Sequence, residues 1–113
     1  MRFMCLIYDD EKAFASLSDN DRNAVYGEYR QFGEAIEKSG HYVTGSELAP
    51  TTTAATVRVR NGKTQTTDGP FAETREQLGG FYIVDAKDMQ EAKALAARIP
   101  SARTGTIEIR QLI

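Results

Sequence analysis

Two short runs of the chain are apolar at every position, and the segments between and beyond them are apolar only at regular intervals. Phe3-Met4-Cys5-Leu6-Ile7-Tyr8 is the first run, closed by Asp9-Asp10. Its alternate residues separate into Phe3, Cys5 and Ile7 on one face and Met4, Leu6 and Tyr8 on the other, which predicts a strand covered on both sides. Phe81-Tyr82-Ile83-Val84 is the second run and predicts another central strand. Val25, Tyr29, Phe32 and Ile36 recur every three or four residues and form one stripe on a helix of about twenty residues. Ser18, followed by Asp19, Asn20 and Asp21, supplies the capping hydroxyl and early carboxylates that suit a helix start, and Gly40 ends the helix. Asp88 caps a second helix with Met89, Ala92, Leu95, Ala96 and Ile99 on its apolar face, and Pro100 stops it. Thr106 to Gln111 alternates and gives the last strand; His41 to Gly45 is a weaker one.

A hairpin stands out between these elements. Thr56-Val57-Arg58-Val59-Arg60 alternates, Asn61-Gly62 supplies a two-residue type I′ turn, and Lys63 to Thr67 returns. Val57 and Val59 share one face and Arg58 and Arg60 the other, so the hairpin is expected half exposed, near a sheet edge. The order β-α-β, hairpin, β-α-β predicts an α+β protein with a ferredoxin-like sheet, two helices on one face and an inserted β-hairpin. Two helices cover one face only. The opposite face leaves large apolar residues bare, and a second subunit is the expected cover, which makes the protein a homodimer packed sheet to sheet.

Composition narrows the function classes. A chain of 113 residues fits one domain, residues 1–113. The formal net charge is −2, from 14 basic and 16 acidic residues without a basic block, so nucleic acid is not an expected partner. Cys5 is the single cysteine, it excludes an intrachain disulfide, and it reads as a core residue. The apolar run after Met1-Arg2 is too short for a signal-peptide core or a membrane span, so a cytoplasmic location is expected. One histidine with scattered carboxylates has no zinc-like spacing, and Gly79-Gly80 lacks the rest of a phosphate or dinucleotide loop, so neither a metal nor a cofactor is expected.

The most distinctive stretch is Thr67-Asp68-Gly69-Pro70-Phe71-Ala72-Glu73-Thr74-Arg75-Glu76-Gln77-Leu78-Gly79-Gly80-Phe81. Together with Ala96-Ala97-Arg98-Ile99-Pro100 and Gly105 to Arg110, it resembles the YCII-related proteins, in the branch named for the Asp-Gly-Pro-Phe motif. That resemblance covers nearly the whole chain. It implies a ferredoxin-like protomer, a dimeric α+β barrel and a function not settled for the family. It also implies a regulatory context, because members of this branch are often neighbours of, or fused to, extracytoplasmic-function sigma factors. Two departures qualify it. The last strand reads Glu108-Ile109-Arg110-Gln111 where the family usually has Glu-Val-Arg-Pro. More distant YCII proteins carry a histidine on the first helix, paired with an aspartate; here the only histidine is His41, after that helix, so the pair is not carried over.

The candidate site follows from these residues. Asp68, Glu73 and Glu76 beside Arg75 form a charged loop that can bind a polar ligand or act in acid–base chemistry, with Arg75 orienting an anionic group. Turn chemistry is a competing account: Asp68 bonds backbone amides, Gly69 takes unusual dihedrals, and Glu73 and Glu76 start a short helical turn. His41 titrates nearest neutrality and joins Asp68 as a candidate proton carrier. Tyr29 and Tyr82 are candidate ligand contacts, although tyrosines on apolar faces are more often core residues. The expected function is a dimeric small-molecule-binding or regulatory module. The alternatives are a small-metabolite enzyme working by acid–base chemistry in a cleft near the loop, or a loop that only clasps the dimer.

Overall fold

The computed structural model describes all residues, 1–113. Its main sheet has four antiparallel strands: β1 (Arg2–Asp9), β2 (Tyr42–Glu47), β5 (Gln77–Asp85) and β6 (Thr106–Gln111), in the order β2-β5-β1-β6. With the hairpin set aside this is the ferredoxin-like order, as the pattern of apolar runs predicts. The two central strands are the two runs apolar at every position. Strand register places Cys5 opposite Tyr82 and Ile109, and Phe3 opposite Val84, so all of these share one face. That face is covered by α2 (Asp19–Lys38) and α3 (Met89–Ala96).

The core lies between sheet and helices. Phe3, Cys5, Ile7 and Val84 meet Phe32 and Ile36 of α2 and Ala92, Leu95 and Ala96 of α3, with Ile99 just beyond. Burying a side chain such as Ile36, which is wholly enclosed, contributes about 1.5–3 kcal/mol. Both helices begin where the sequence places them. The Ser18 hydroxyl accepts from the Asp21 amide, and the Asp88 carboxylate accepts from the Glu91 amide. Gly40, at φ +80°, follows the last turn of α2. Met89, expected on the apolar face of α3, is exposed instead.

Four local expectations are corrected. There are three helices rather than two: α1 (Glu11–Ala15) is a single short helix capped by Asp10, whose carboxylate takes the amides of Lys12 and Ala13. Strand β5 begins at Gln77, four residues before the apolar run, because β1 continues pairing to Asp9 through an irregularity at Ile7/Tyr8. The hairpin, β3 (Ala55–Arg60) and β4 (Lys63–Asp68), is not an edge of the main sheet but a separate two-stranded ribbon. Asn61 and Gly62 both have positive φ, as the type I′ turn requires. Finally, Glu73 and Glu76 start no helical turn; residues 69–76 run without helix into β5.

Met4, Leu6 and Tyr8 lie on the opposite face of β1 from Phe3, Cys5 and Ile7, and the register adds Phe81 and Ile83 to them. No helix covers this face. No helix is long and apolar enough to cross a membrane.

Candidate functional site

A hollow of about 1470 Å³ opens between α1, α2, β2 and the first half of β5. Helix α2 buries Phe32 and Ile36 in the core with Phe3, Cys5, Ile7 and Val84 of the central strands, while its Tyr29, Gly33 and Glu37 border the hollow together with Tyr42 and Gly45 to Glu47 of β2. Tyr82 lies in that space. Its ring meets Phe32 edge-on at 5.2 Å and Tyr42 at 6.3 Å between centroids. The neighbouring strand must be bare there: a Cβ on Gly45 would stand 2.8 Å from the Tyr82 ring and from the Phe81 carbonyl oxygen.

The end wall is built from long-range hydrogen bonds around α1. The Glu11 carboxylate takes both the Thr51 amide and the Thr51 hydroxyl at 2.7 Å, and the Gln77 side chain accepts from the Glu11 amide at 3.0 Å. Asp9 accepts from the Asp10 amide and from the Thr104 hydroxyl. Phe14 meets Tyr26 edge-on at 5.7 Å, and the Tyr26 hydroxyl donates to Glu47 at 2.9 Å. The Tyr29 hydroxyl pairs with the Ser101 hydroxyl at 2.6 Å. Glu28, on the same helix, forms an ion pair with Arg103.

Burial and nearby charge keep these phenols protonated. The Tyr82 hydroxyl is pushed up to about 12, mainly by burial, with Tyr29 and Tyr42 adding to it. Burial also raises Tyr29, against the opposing effect of its bond to Ser101. Tyr26 is raised first by its hydrogen bond to Glu47. At neutral pH all three keep their phenol hydrogen. Tyr26 and Tyr29 are engaged within the chain; Tyr82 makes no hydrogen bond to it, yet its hydroxyl is not sealed from solvent. Tyr82 therefore offers the hollow a free donor on an aromatic wall. Of the carboxylates, Glu11 and Asp9 have both oxygens occupied, while Glu47 keeps one oxygen free and Glu73 has no partner in the chain.

The residues singled out in the sequence divide. Tyr29, Tyr82 and Glu73 border the hollow; Asp68, His41, Arg75 and Glu76 do not. Asp68 is exposed at the end of β4, and its carboxylate bonds no backbone amide. The bond at that turn is instead from the Gly69 amide to the Ala54 carbonyl, 2.6 Å. His41 faces the start of α3, between the Ser39 hydroxyl at 2.7 Å and the Glu91 carboxylate at 3.2 Å. Glu76 accepts from the Thr106 hydroxyl, and Arg75 is exposed without an ion pair. Glu11, Thr51, Gln77, Ser101 and Glu47 were not read from sequence as site residues. Their only signal is pairing across as many as 72 positions, as between Tyr29 and Ser101, which has no local signature. No cluster of three or more potential metal ligands converges anywhere.

Known proteins place this architecture. A solved structure with the same fold over 100% of this chain and 94% of its own is 5-chloro-2-hydroxyhydroquinone dehydrochlorinase from Burkholderia phenoliruptrix AC1100, in complex with 2,5-dihydroxybenzoquinone. The TM-score is 0.57 at 13% sequence identity, a likeness of fold. An uncharacterised protein of Rhizobium meliloti (strain 1021) is 36% identical over 114 residues, covering 99% of this chain and 92% of that protein. The model of the YCII-related domain matches residues 1–113, and the chain belongs to that family.

Proposed function

We propose that this protein is a dimeric small-molecule-binding module whose ligand occupies the hollow between α2 and β2. The observation that carries this reading is the Tyr82 hydroxyl, a donor without a partner in the chain, set among Phe32, Tyr42 and the Tyr29–Ser101 pair. Apolar and aromatic walls with a few converging polar groups are what small-molecule sites consist of. The dimer is supported by how little one copy buries. Only 14 of 113 residues are buried, and one sheet face, with Met4, Leu6, Phe81 and Ile83, has no helix over it. A cytoplasmic location, and a regulatory setting beside extracytoplasmic-function sigma factors, belong to this reading as expectations of sequence and resemblance.

An enzymatic reading has one specific observation in its favour: the structural neighbour is an enzyme, in complex with a small oxygenated ring. Applied here, acid–base work passes from Asp68 and His41, which lie outside the hollow, to Glu47 and Glu73, which border it with unoccupied oxygens.

A thermal-shift panel of small planar and polar molecules tests the proposal. A ligand at a hundred times its dissociation constant stabilises by about 2.7 kcal/mol, or about 11 °C for a chain of this length. Tyr82→Phe keeps the ring and removes the donor, so the hit should weaken about threefold to tenfold, the worth of one hydrogen bond. No hit across the panel, or a hit indifferent to both Tyr82→Phe and Glu47→Gln, refutes this assignment of the site.

A further inference from the structure

The ribbon of β3 and β4 is a sheet of its own. Its six registered pairs run from Ala55–Asp68 to Arg60–Lys63, and neither strand pairs with the main sheet. No residue of either strand is buried. Val57 and Val59 are 61% and 57% exposed, and Phe71, just past the ribbon's root, is 78% exposed. A lone two-stranded ribbon is marginal in water, and a bare row of β-branched residues marks a docking face. The whole molecule shows the same projection: its radius of gyration is 16.0 Å, against about 13 Å for a compact chain of this length.

We propose that this ribbon is an arm that lies on the body of a second copy of this chain, with its Val57–Val59 face inward. Charge selects the second copy as the occupant. Arg58, Arg60 and Lys63, set against the single carboxylate of Asp68 at its root, give the ribbon a charge of +2. The chain as a whole carries −2, so the remainder carries −4, and arm and body attract when they belong to different copies. A two-fold exchange satisfies both arms at once, with the same patch used on each side. The body also offers apolar surface to match, in the uncovered face of Met4, Leu6, Phe81 and Ile83.

The arm gives the Asp-Gly-Pro-Phe motif a structural task. Gly69 sits at φ +102°, a conformation that side-chain-bearing residues rarely adopt. Its amide and carbonyl are both fixed at the root, the first to the Ala54 carbonyl and the second by the Thr56 hydroxyl at 2.8 Å. Pro70 follows with its own restricted dihedral. The motif thus sets the angle at which the arm leaves the body.

This inference rests on the dimeric part of the proposed function, and the test separates the two. The chain has no tryptophan, so Val59→Trp creates a single indole reporter. Its emission should be blue-shifted at high protein concentration and move to the red on dilution, in step with dimer dissociation measured by sedimentation. Val57→Lys with Val59→Lys should weaken the dimer by at least about tenfold, equivalent to 1.4 kcal/mol. Raised ionic strength should weaken the wild-type dimer as well. An indole in water at concentrations where the chain is dimeric, together with a lysine variant that dimerises as tightly as wild type, overturns the arm and leaves the dimer standing. A wild-type chain that is monomeric at every concentration overturns both.

Discussion

Replacing the two glycines inside α2 tests whether the hollow is a space kept open at a cost to the helix. Gly27 and Gly33 lie in the interior of a twenty-residue helix, and a Cβ built on either meets no atom within 4 Å. Alanine in place of glycine in a helix interior is worth about 0.8–1.0 kcal/mol. At about 2.1 cal/mol/K of unfolding entropy per residue, 1 kcal/mol corresponds to about 4 °C in this chain. Gly27→Ala and Gly33→Ala should therefore each raise Tm by about 4 °C, and the double variant by about 8 °C, since the sites share no partner. They differ in position: Gly33 borders the hollow and Gly27 does not. Gly33→Leu should fold and lose ligand affinity, while Gly27→Ala should bind as wild type. The assays are scanning calorimetry and titration of a ligand found in the thermal-shift panel. A Gly33→Ala variant that melts below wild type would mean that something already occupies this space in the assembled protein, and would refute the reasoning.

Two further outcomes follow from the same wall. Gly45→Ala forces a methyl group against the Tyr82 ring and the Phe81 carbonyl, 2.8 Å from each. It should cost about 1–3 kcal/mol as an overpacking change, seen as a lower midpoint in urea, and it should weaken ligand binding by displacing the ring. The second concerns alkaline pH. Tyr82 is held protonated to about 12 in the folded chain, above the ordinary phenol value of 10.0. A raised folded value means that stability is intact below pH 10 and is lost as pH rises towards 12, because the unfolded chain releases the proton first. Tyr82→Phe should flatten that part of the stability curve measured by urea titration; an unchanged alkaline limb would contradict the burial assigned to this hydroxyl.

The frame of the fold was legible because its signals are local or periodic. The fully apolar runs around Cys5 and Ile83 marked the central strands, the stripe from Val25 to Ile36 marked α2, and Ser18, Asp88 and Asn61-Gly62 marked two caps and a turn. Helix α1 was not legible, since five residues give no periodicity and only Asp10 announces it. The start of β5 was missed because Gln77 to Gly80 has no strand composition; β1 and β2 impose strand geometry on it. Of the residues singled out in the sequence, the two tyrosines and Glu73 border the hollow. Charge density drew attention to Asp68 and Arg75, but position relative to the hollow depends on how the chain leaves the ribbon, which Gly69 and Pro70 mark as a turn without giving its direction in space. His41 was singled out for its intrinsic pKa, whereas its ring is engaged by Ser39 and Glu91.

The distribution of burial along the chain has a consequence for how this protein tolerates change. From Glu37 to Gly79 not one residue is buried, although this stretch contains β2, the ribbon and the motif loop. The enclosed core is drawn from the two ends of the sequence, Phe3 to Ile36 and Val84 to Ile99. Substitutions in the middle stretch, away from the close approach at Gly45, the left-handed Gly40, Asn61, Gly62 and Gly69 and the bonds of Thr51 and Gln77 to Glu11, are therefore of the kind that shifts stability by only about 0.5 kcal/mol either way. The segment that shapes the mouth of the hollow and carries the arm can be rewritten with little penalty in folding, which makes it the natural place to begin when redirecting this scaffold to a new ligand.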